Sequence, residues 1–374
     1  MRSISDTLVR MKASSGKISL GRAISHPSRL SRLSEWGDNP GALLAHSYVP
    51  EGLSRQAPLV VVLHGCTQTA AGYDHGSGWS QLADRHQFAV LYPEQQRANN
   101  PNLCFNWFVP GDIARGAGEV LSIAQMVRRM IELHDLDKQR VFITGLSAGG
   151  AMTTAMLATY PELFAGGAII AGLPYGCATS IPEAFDRMQG HGLPSGRELE
   201  TRVLGASAHR GSWPRLSIWH GTADQTVAQA NMDAIVAQWR GLHGLQAVKH
   251  QENAVGLHTR RAWCDGAGTA RIEAFSVEGI GHGTPLNSAD DIGALGPFML
   301  DAGISSTRHI ARFWQLTETG SELSVPSRTE ETPSGLGSEQ LRGNRGKAVW
   351  EVRTPTSGVG KVIEDALRAA GLMR

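Results

Sequence analysis

Ser147 is the residue of this sequence whose surroundings most clearly predict covalent chemistry. It lies in the stretch GLSAG (145–149), which matches G-x-S-x-G, the pattern of a nucleophile elbow. An elbow is a sharp strand-to-helix turn that exposes a serine hydroxyl. A predicted strand over 141–143 precedes the motif, and a predicted helix over 151–157 follows it. The bare pattern is common in a glycine-rich chain, so this context is what supports a nucleophilic serine.

A serine nucleophile needs a base, and the base needs a group that orients it. In this kind of site the chain order is serine, then Asp or Glu, then histidine. Asp224 follows a predicted strand over 216–219 and is our candidate acid, with a turn-capping aspartate as the alternative. His282 lies in a glycine-rich loop after a predicted final strand over 275–277 and is the candidate base, with an ordinary surface or core histidine as the alternative. Four other histidines lack the combination of a preceding strand and flanking glycines: His243, His250, His258 and His309.

The oxyanion of a tetrahedral intermediate requires hydrogen-bond donors. The backbone N–H of Ala148, directly after the serine, is one candidate. The other donor is expected in the loop after an early strand, where the stretch LHGC (63–66) makes the N–H of Cys66 the candidate. Both donors are backbone groups, so the side chain of Cys66 need not matter for this role.

Aromatic residues supply candidate substrate contacts. Phe105 and Trp107 lie in a predicted loop, and Trp263 stands beside Cys264. Aromatic side chains often line the acyl pocket of a hydrolase, so we take these three as substrate-binding candidates. Packing in the core is the alternative for each of them.

These candidates require a scaffold in which the ends of several strands meet. Apolar runs of strand length occur at five places: 59–63, 88–92, 140–144, 167–171 and 216–219. An edge strand is predicted near 43–50, and apolar residues at helical spacing lie within 120–131 and 235–239. Alternation of strands and helices predicts a doubly wound, mostly parallel sheet. With the serine motif, this indicates an α/β-hydrolase fold in a single catalytic domain.

Composition along the chain predicts four segments. Residues 1–40 read as an N-terminal extension and 41–316 as the catalytic domain. Residues 317–356, rich in Ser, Thr, Glu and Gly, read as a flexible linker. Residues 357–374 have the apolar face of a short C-terminal helix, which we expect to fold back on the core or on a sister subunit. Binding to a separate partner is the alternative for that helix.

The charge balance argues against two classes of partner. The sequence has 35 Lys and Arg against 34 Asp and Glu, which is not the basic footprint selected by nucleic acid or an anionic membrane. It has no apolar stretch of transmembrane length, and residues 1–11 lack the apolar region of a signal peptide. Sequence alone therefore predicts a soluble, cytoplasmic protein.

Metal and cofactor sites find no support in the sequence. His64, His75 and His86 are too widely spaced for one helical face, and no CxxC or HExxH pattern occurs. The four cysteines are too few and too scattered for a disulfide scaffold or a zinc ribbon: Cys66, Cys104, Cys177 and Cys264. One or two local disulfides stay open, and without an export signal free thiols are the expectation.

Four stretches together resemble one known family: LHGCTQ (63–68), GLSAGG (145–150), WHGTAD (219–224) and GHGTP (281–285). In them the chain resembles the poly(3-hydroxybutyrate) depolymerase family of esterases, which is similar to feruloyl and acetylxylan esterases, from about residue 43 to 315. The resemblance implies that Ser147, Asp224 and His282 are nucleophile, acid and base. It also implies hydrolysis of short-chain hydroxyalkanoate polyesters or oligomers and an extracellular setting.

The leading hypothesis is a serine carboxylic ester hydrolase that acts through an acyl-enzyme and needs no cofactor. Its substrate is expected to be poly(3-hydroxybutyrate) or its oligomers, with a small acetyl or feruloyl ester as the alternative. A non-catalytic binding module on the same scaffold is disfavoured because all three triad positions are filled. The oligomeric state is left open.

Overall fold

Ten strands form the main sheet in the computed structural model, which describes residues 28–317. They are β1 (Ser31–Arg32), β2 (Leu44–Tyr48), β3 (Leu59–Leu63), β4 (Ala89–Glu94), β5 (Val141–Leu146), β6 (Gly166–Ile170), β7 (Arg215–Gly221), β8 (Gln251–Val255), β9 (His258–Cys264) and β10 (Ala270–Val277). Their order across the sheet is β1-β2-β4-β3-β5-β6-β7-β10-β9-β8. Strands β4, β3, β5, β6, β7 and β10 pair in parallel, and antiparallel strands extend both edges. The predicted mostly parallel sheet is therefore confirmed.

Helices cover both faces of this sheet. They are α1 (Ala70–Ser77), α2 (Trp79–His86), α3 (Gly118–His134), α4 (Ala148–Thr159), α5 (Ile181–Met188), α6 (Gly196–Ala206), α7 (Ala230–Leu242) and α8 (Ser306–Phe313). Helices α3, α4 and α7 contribute to the core on one face, and α1, α2 and α8 contribute to the core on the other. Among the described residues, no helix has the length and apolarity needed to cross a membrane.

The continuous apolar run of β3 is explained by the burial of both faces of this strand. Leu59, Val61 and Leu63 belong to the core on one face, and Val60 and Val62 belong to the core on the other. Side chains alternate along a strand, and helices cover both faces, so every position of β3 is buried. An uninterrupted apolar run is the sequence pattern of such a strand.

The last described helix, α8, packs in the same core as α1 and α2. It leads into Trp314, whose ring stacks on Phe142 of β5 with 4.9 Å between centroids. Trp314 also stacks on Trp79, at 5.8 Å. Late residues of the domain thus pack directly on the strand that precedes the serine motif.

The edges of the domain differ from the prediction. Strand β1 pairs with β2, and Leu33 beside it is buried, so the predicted extension over 1–40 is too long. The β8–β9 hairpin was not predicted, because the side chains of β8 are mostly polar and exposed. Two further short strands, β11 (Thr284–Leu286) and β12 (Met299–Asp301), pair with each other, so the strand before His282 is not the final one. The predicted C-terminal helix and all but the first residue of the predicted linker lie outside residues 28–317.

Candidate active site

Ser147 occupies a sharp turn between β5 and α4. Its backbone has φ 57° and ψ −118°, a strained conformation, and its N–H donates to the carbonyl of Ile170 at 2.9 Å. The flanking glycines make the turn possible. A Cβ at Gly145 would lie 2.4 Å from the carbonyl oxygen of Gly149, and one at Gly149 would lie 2.4 Å from that of Leu63. Any larger residue at either position would push α4 away from the sheet.

Asp224 and His282 form a buried hydrogen-bonded pair. His282 Nδ1 lies 2.7 Å from Asp224 Oδ2. The other carboxylate oxygen, Oδ1, accepts the N–H groups of Thr226 at 2.8 Å and Val227 at 2.9 Å. Burial by itself raises the pKa of Asp224, but the bond from His282, the neighbouring imidazoles and the Val227 N–H outweigh it, and the pKa is lowered. The carboxylate is therefore held ionised in a fixed orientation.

The sheet brings these two residues together. Strands β7 and β10 are parallel neighbours, with Gly221 opposite Val277 at their carboxyl ends. Backbone bonds tie the loops that follow, because Thr222 N–H donates to Val277 O and Ala223 N–H donates to Ile280 O, both at 3.0 Å. Two residues far apart in sequence thus leave the same edge of the sheet side by side.

Ser147 and His282 line one small cleft. The other lining residues are Gly65, Cys66, Gln68, Leu146 and Phe298. The structure therefore places the candidate nucleophile, the candidate base and the candidate oxyanion segment around a single opening.

The segment after β3 is fixed by hydrogen bonds that leave Cys66 as the candidate donor. The N–H of Gly65 is occupied, because it donates to Gln68 Oε1 at 2.8 Å. His64 is buried, and burial lowers the pKa of its imidazole. Its Nδ1 donates to Gly65 O at 2.8 Å, and its Nε2 accepts the Gln95 N–H at 3.1 Å. Within residues 28–317, the N–H of Cys66 donates to no protein acceptor. The neutral imidazole of His64 thus holds the loop in place. The N–H of Cys66 remains available to an oxyanion.

A disulfide joins Cys66 to Cys104, and the expectation of free thiols is wrong for this pair. The two residues are 38 positions apart, and loops from different parts of the chain bring their Cα atoms within 4.2 Å. Spacing along the chain cannot reveal such a contact. Cys177 and Cys264 are not bonded, and burial raises the pKa of Cys177 to about 12.

A buried carboxyl group, which sequence reasoning missed, anchors the Cys104 side of this bridge. Glu119, in the first turn of α3, accepts Gln95 Nε2 at 2.6 Å and the Asn106 N–H at 2.9 Å. Gln95 Nε2 also donates to Cys104 O at 3.0 Å. Burial raises the pKa of Glu119 to about 8, against the effect of these donors. An isolated glutamate at the start of a helix carries no sequence signal for this role.

Removal of the disulfide should destabilise the fold. We expect Cys104→Ala to lower the free energy of unfolding by about 4 kcal/mol, because the bond closes a loop spanning 38 residues. Urea unfolding of the oxidised proteins measures this difference. Cys264→Ala, which removes an unbonded cysteine, is the control and should change the midpoint little. Equal midpoints for Cys104→Ala and wild type would contradict the expectation.

The aromatic candidates divide between the core and the neighbourhood of the site. Phe105 is fully buried against His64, with 5.0 Å between ring centroids, and Trp263 is buried in β9. Neither lines the cleft, so the structure does not support a substrate contact for either one. Trp107 packs in the cluster that contains Ala148 and Cys66, and its contact with substrate stays a prediction. Sequence reasoning also missed Phe298, an aromatic residue that does line the cleft.

His220 is a second buried histidine beside Asp224. Its Nε2 lies 3.5 Å from Asp224 Oδ2 and donates to Val227 O at 2.7 Å. Burial lowers the pKa of His220, and the nearby charge of Asp224 only partly offsets this. The imidazole of His220 is therefore neutral and does not form an ion pair with Asp224. The Asp224 carboxylate remains the hydrogen-bond partner of His282.

Known proteins share this architecture. The family model described as Esterase PHB depolymerase matches residues 43–261, more than half of the chain. The chain belongs to this esterase family. It is 46% identical over 289 residues to poly(3-hydroxyalkanoate) depolymerase C of Paucimonas lemoignei, which covers 76% of this chain and 70% of that protein. The family resemblance predicted from the four motifs is thus confirmed.

Other relatives are more distant. Identity is 33% with acetylxylan esterase A of Emericella nidulans, over 71% of this chain and 88% of that protein. It is 31% with feruloyl esterase B of Talaromyces stipitatus, over 69% of this chain and 73% of that protein. The solved structure of acetyl xylan esterase from Aspergillus awamori aligns with a TM-score of 0.67 and 26% identity, over 77% of this chain and 99% of that one. The predicted α/β-hydrolase fold and the predicted class, carboxylic ester hydrolase, are therefore confirmed.

Proposed function

We propose that Ser147 is the nucleophile of this esterase, His282 its general base and Asp224 the residue that orients the histidine. One observation carries this proposal: His282 shares a cleft with Ser147 while its Nδ1 is held 2.7 Å from the buried Asp224. Because the ionised carboxylate of Asp224 can only accept a hydrogen bond, His282 carries its proton on Nδ1 and presents a bare Nε2. A bare Nε2 facing the cleft is what a serine hydroxyl needs from its base.

The reaction follows from these positions. Ser147 Oγ attacks the ester carbonyl carbon while His282 Nε2 takes the hydroxyl proton. The resulting oxyanion accepts hydrogen bonds from the N–H groups of Cys66 and Ala148. When the bond from the carbonyl carbon to the alcohol oxygen breaks, His282 returns its proton to the departing alcohol. Water then repeats the sequence on the acyl-enzyme and releases the acid.

The substrate we propose is a short-chain hydroxyalkanoate polyester or its oligomers. The 46% identity to a poly(3-hydroxyalkanoate) depolymerase supports this substrate. A small acetyl or feruloyl ester is the second candidate. The acetyl xylan esterase structure favours it, because 99% of that chain aligns with this one.

A substrate panel separates these candidates. We expect the wild type to hydrolyse 3-hydroxybutyrate oligomers and amorphous poly(3-hydroxybutyrate) as well as p-nitrophenyl butyrate. Hydrolysis of acetylated xylan or methyl ferulate without cleavage of the oligomers would favour the second candidate instead. If no ester is hydrolysed, the result would favour the alternative of a binding module on a hydrolase scaffold.

We also propose that the protein works in an oxidising, extracellular compartment. The Cys66–Cys104 disulfide supports this setting, since such bonds persist in secreted proteins and are rare in the cytosol.

A further inference from the structure

Phe298 adopts a backbone conformation that its residue type disfavours. It lies in the turn Gly296-Pro297-Phe298-Met299, which is closed by the Met299 N–H donating to Gly296 O at 3.0 Å. Proline in the second position and a positive φ in the third are the arrangement of a type II turn, in which glycine usually occupies the third position. Phe298 stands there with φ 62°. A bulky side chain is thus kept where glycine would be unstrained, and strain of this kind is concentrated at functional sites.

Contacts with the loop of His282 hold this turn. The carbonyl of Phe298 accepts the Thr284 N–H at 2.8 Å, and a Cβ at Gly283 would lie 2.8 Å from that same oxygen. The following residue, Met299, pairs with Thr284 where β12 runs alongside β11. The turn is therefore packed directly against the two residues that follow His282.

The ring of Phe298 reaches the cleft beside the base. It stands perpendicular to the imidazole of His282, with 6.3 Å between ring centroids and 89° between planes. Among the residues that line the cleft, the large apolar side chains are Phe298 and Leu146. Leu146 belongs to β5 directly before the serine, so Phe298 forms the apolar wall on the His282 side.

We propose that Phe298 is a specificity-determining residue that borders the alcohol part of the ester. This inference rests on the proposed roles of Ser147 and His282. During acylation the bond between Ser147 Oγ and the carbonyl carbon forms, and the bond to the alcohol oxygen breaks. The proton that His282 took from Ser147 passes to that oxygen, so the alcohol part must lie next to His282. In a hydroxyalkanoate oligomer this part is the next hydroxyacyl unit, a small branched aliphatic group that an aromatic ring can pack against.

Two series of esters test this assignment. One series holds the acyl group constant as butyrate and varies the alcohol from ethyl to butyl, cyclohexyl and octyl. The other series holds p-nitrophenol constant and varies the acyl group from acetate to octanoate. The value of kcat/KM is measured for wild type, Phe298→Leu and Phe298→Ala. Because kcat/KM covers the steps through acylation, it reports the stage at which the alcohol is still bound.

We expect both variants to raise kcat/KM for cyclohexyl over ethyl butyrate by roughly tenfold, the scale that one change of apolar contact produces in a pocket. The order of preference in the acyl series should stay the same. Phe164→Leu is the matched control, since it shortens a phenylalanine of similar burial that does not line the cleft. Phe164→Leu should change the order of kcat/KM values in neither ester series. If Phe298→Ala does not fold, kcat/KM can still be measured with Phe298→Leu.

Three results would overturn the proposal. A change of preference in the acyl series alone would place Phe298 on the other side of the ester. An equal loss for every ester would mean that Phe298 only packs against His282. A wild type that hydrolyses no ester would remove the proposed roles of Ser147 and His282, and with them this inference, whatever the variants do.

Discussion

Ser147→Ala is expected to lower kcat for p-nitrophenyl butyrate by about 10⁶-fold, the loss found when the nucleophile of a serine triad is removed. Alanine keeps the Cβ and so meets the same strained φ of 57° as serine. The fold should therefore persist, and the melting temperature should match that of the wild type. Activity and stability respond separately, which makes this variant a clean test of the nucleophile.

A control and a chemical label sharpen this test. Ser207→Ala removes a buried hydroxyl for which no hydrogen-bond partner is present in the described part of the chain, and it should keep full activity. A fluorophosphonate reagent should add one equivalent to the wild type, on the peptide that contains Ser147, and none to Ser147→Ala. If the variant retains activity and is still labelled, the nucleophile is another residue.

Asp224→Asn is expected to lower kcat by about 10⁴-fold. The N–H groups of Thr226 and Val227 already donate to one carboxylate oxygen, so an asparagine must place its own oxygen there. The amide NH₂ then faces Nδ1 of His282. That nitrogen is forced to accept a hydrogen bond, the ring proton moves to Nε2, and the base can no longer take a proton from Ser147.

Steady-state kinetics on p-nitrophenyl butyrate measure this loss. Asp233→Asn is the matched control, because Asp233 is an exposed aspartate on α7 that pairs with Arg261 at 2.7 Å. Its kcat should stay within about twofold of the wild type, as surface ion pairs contribute little. A loss below tenfold for Asp224→Asn would mean that another group orients His282.

The residues proposed for chemistry could be predicted because each is tied to a local pattern. Ser147 lies in a short motif between a strand and a helix, and Asp224 and His282 each follow an apolar strand. Parallel strands end at one edge of a sheet, so recognising the strands was enough to place these residues near one another. The apolar run of β3 was equally informative, since burial on both faces leaves a continuous pattern.

The rest depends on contacts between distant segments. The Cys66–Cys104 bond joins loops whose meeting is set by the sheet, and Glu119 gains its role only because Gln95 and Asn106 converge on it. Phe298 reaches the cleft through a backbone conformation that its own residue type disfavours. Trp263 packs in the core and does not line the cleft, and its position beside Cys264 in the sequence could not show on which side of the sheet it packs.

The packing of Trp314 on Phe142 also bears on how the protein is made. Phe142 belongs to the strand that leads to Ser147, yet the ring that covers it arrives about 170 residues later in the chain. A nascent chain that has released only the serine segment from the ribosome must still expose Phe142 and Trp79. It therefore has to be kept from aggregating until residue 314 emerges, and ester hydrolysis should begin only when synthesis of the whole domain is complete.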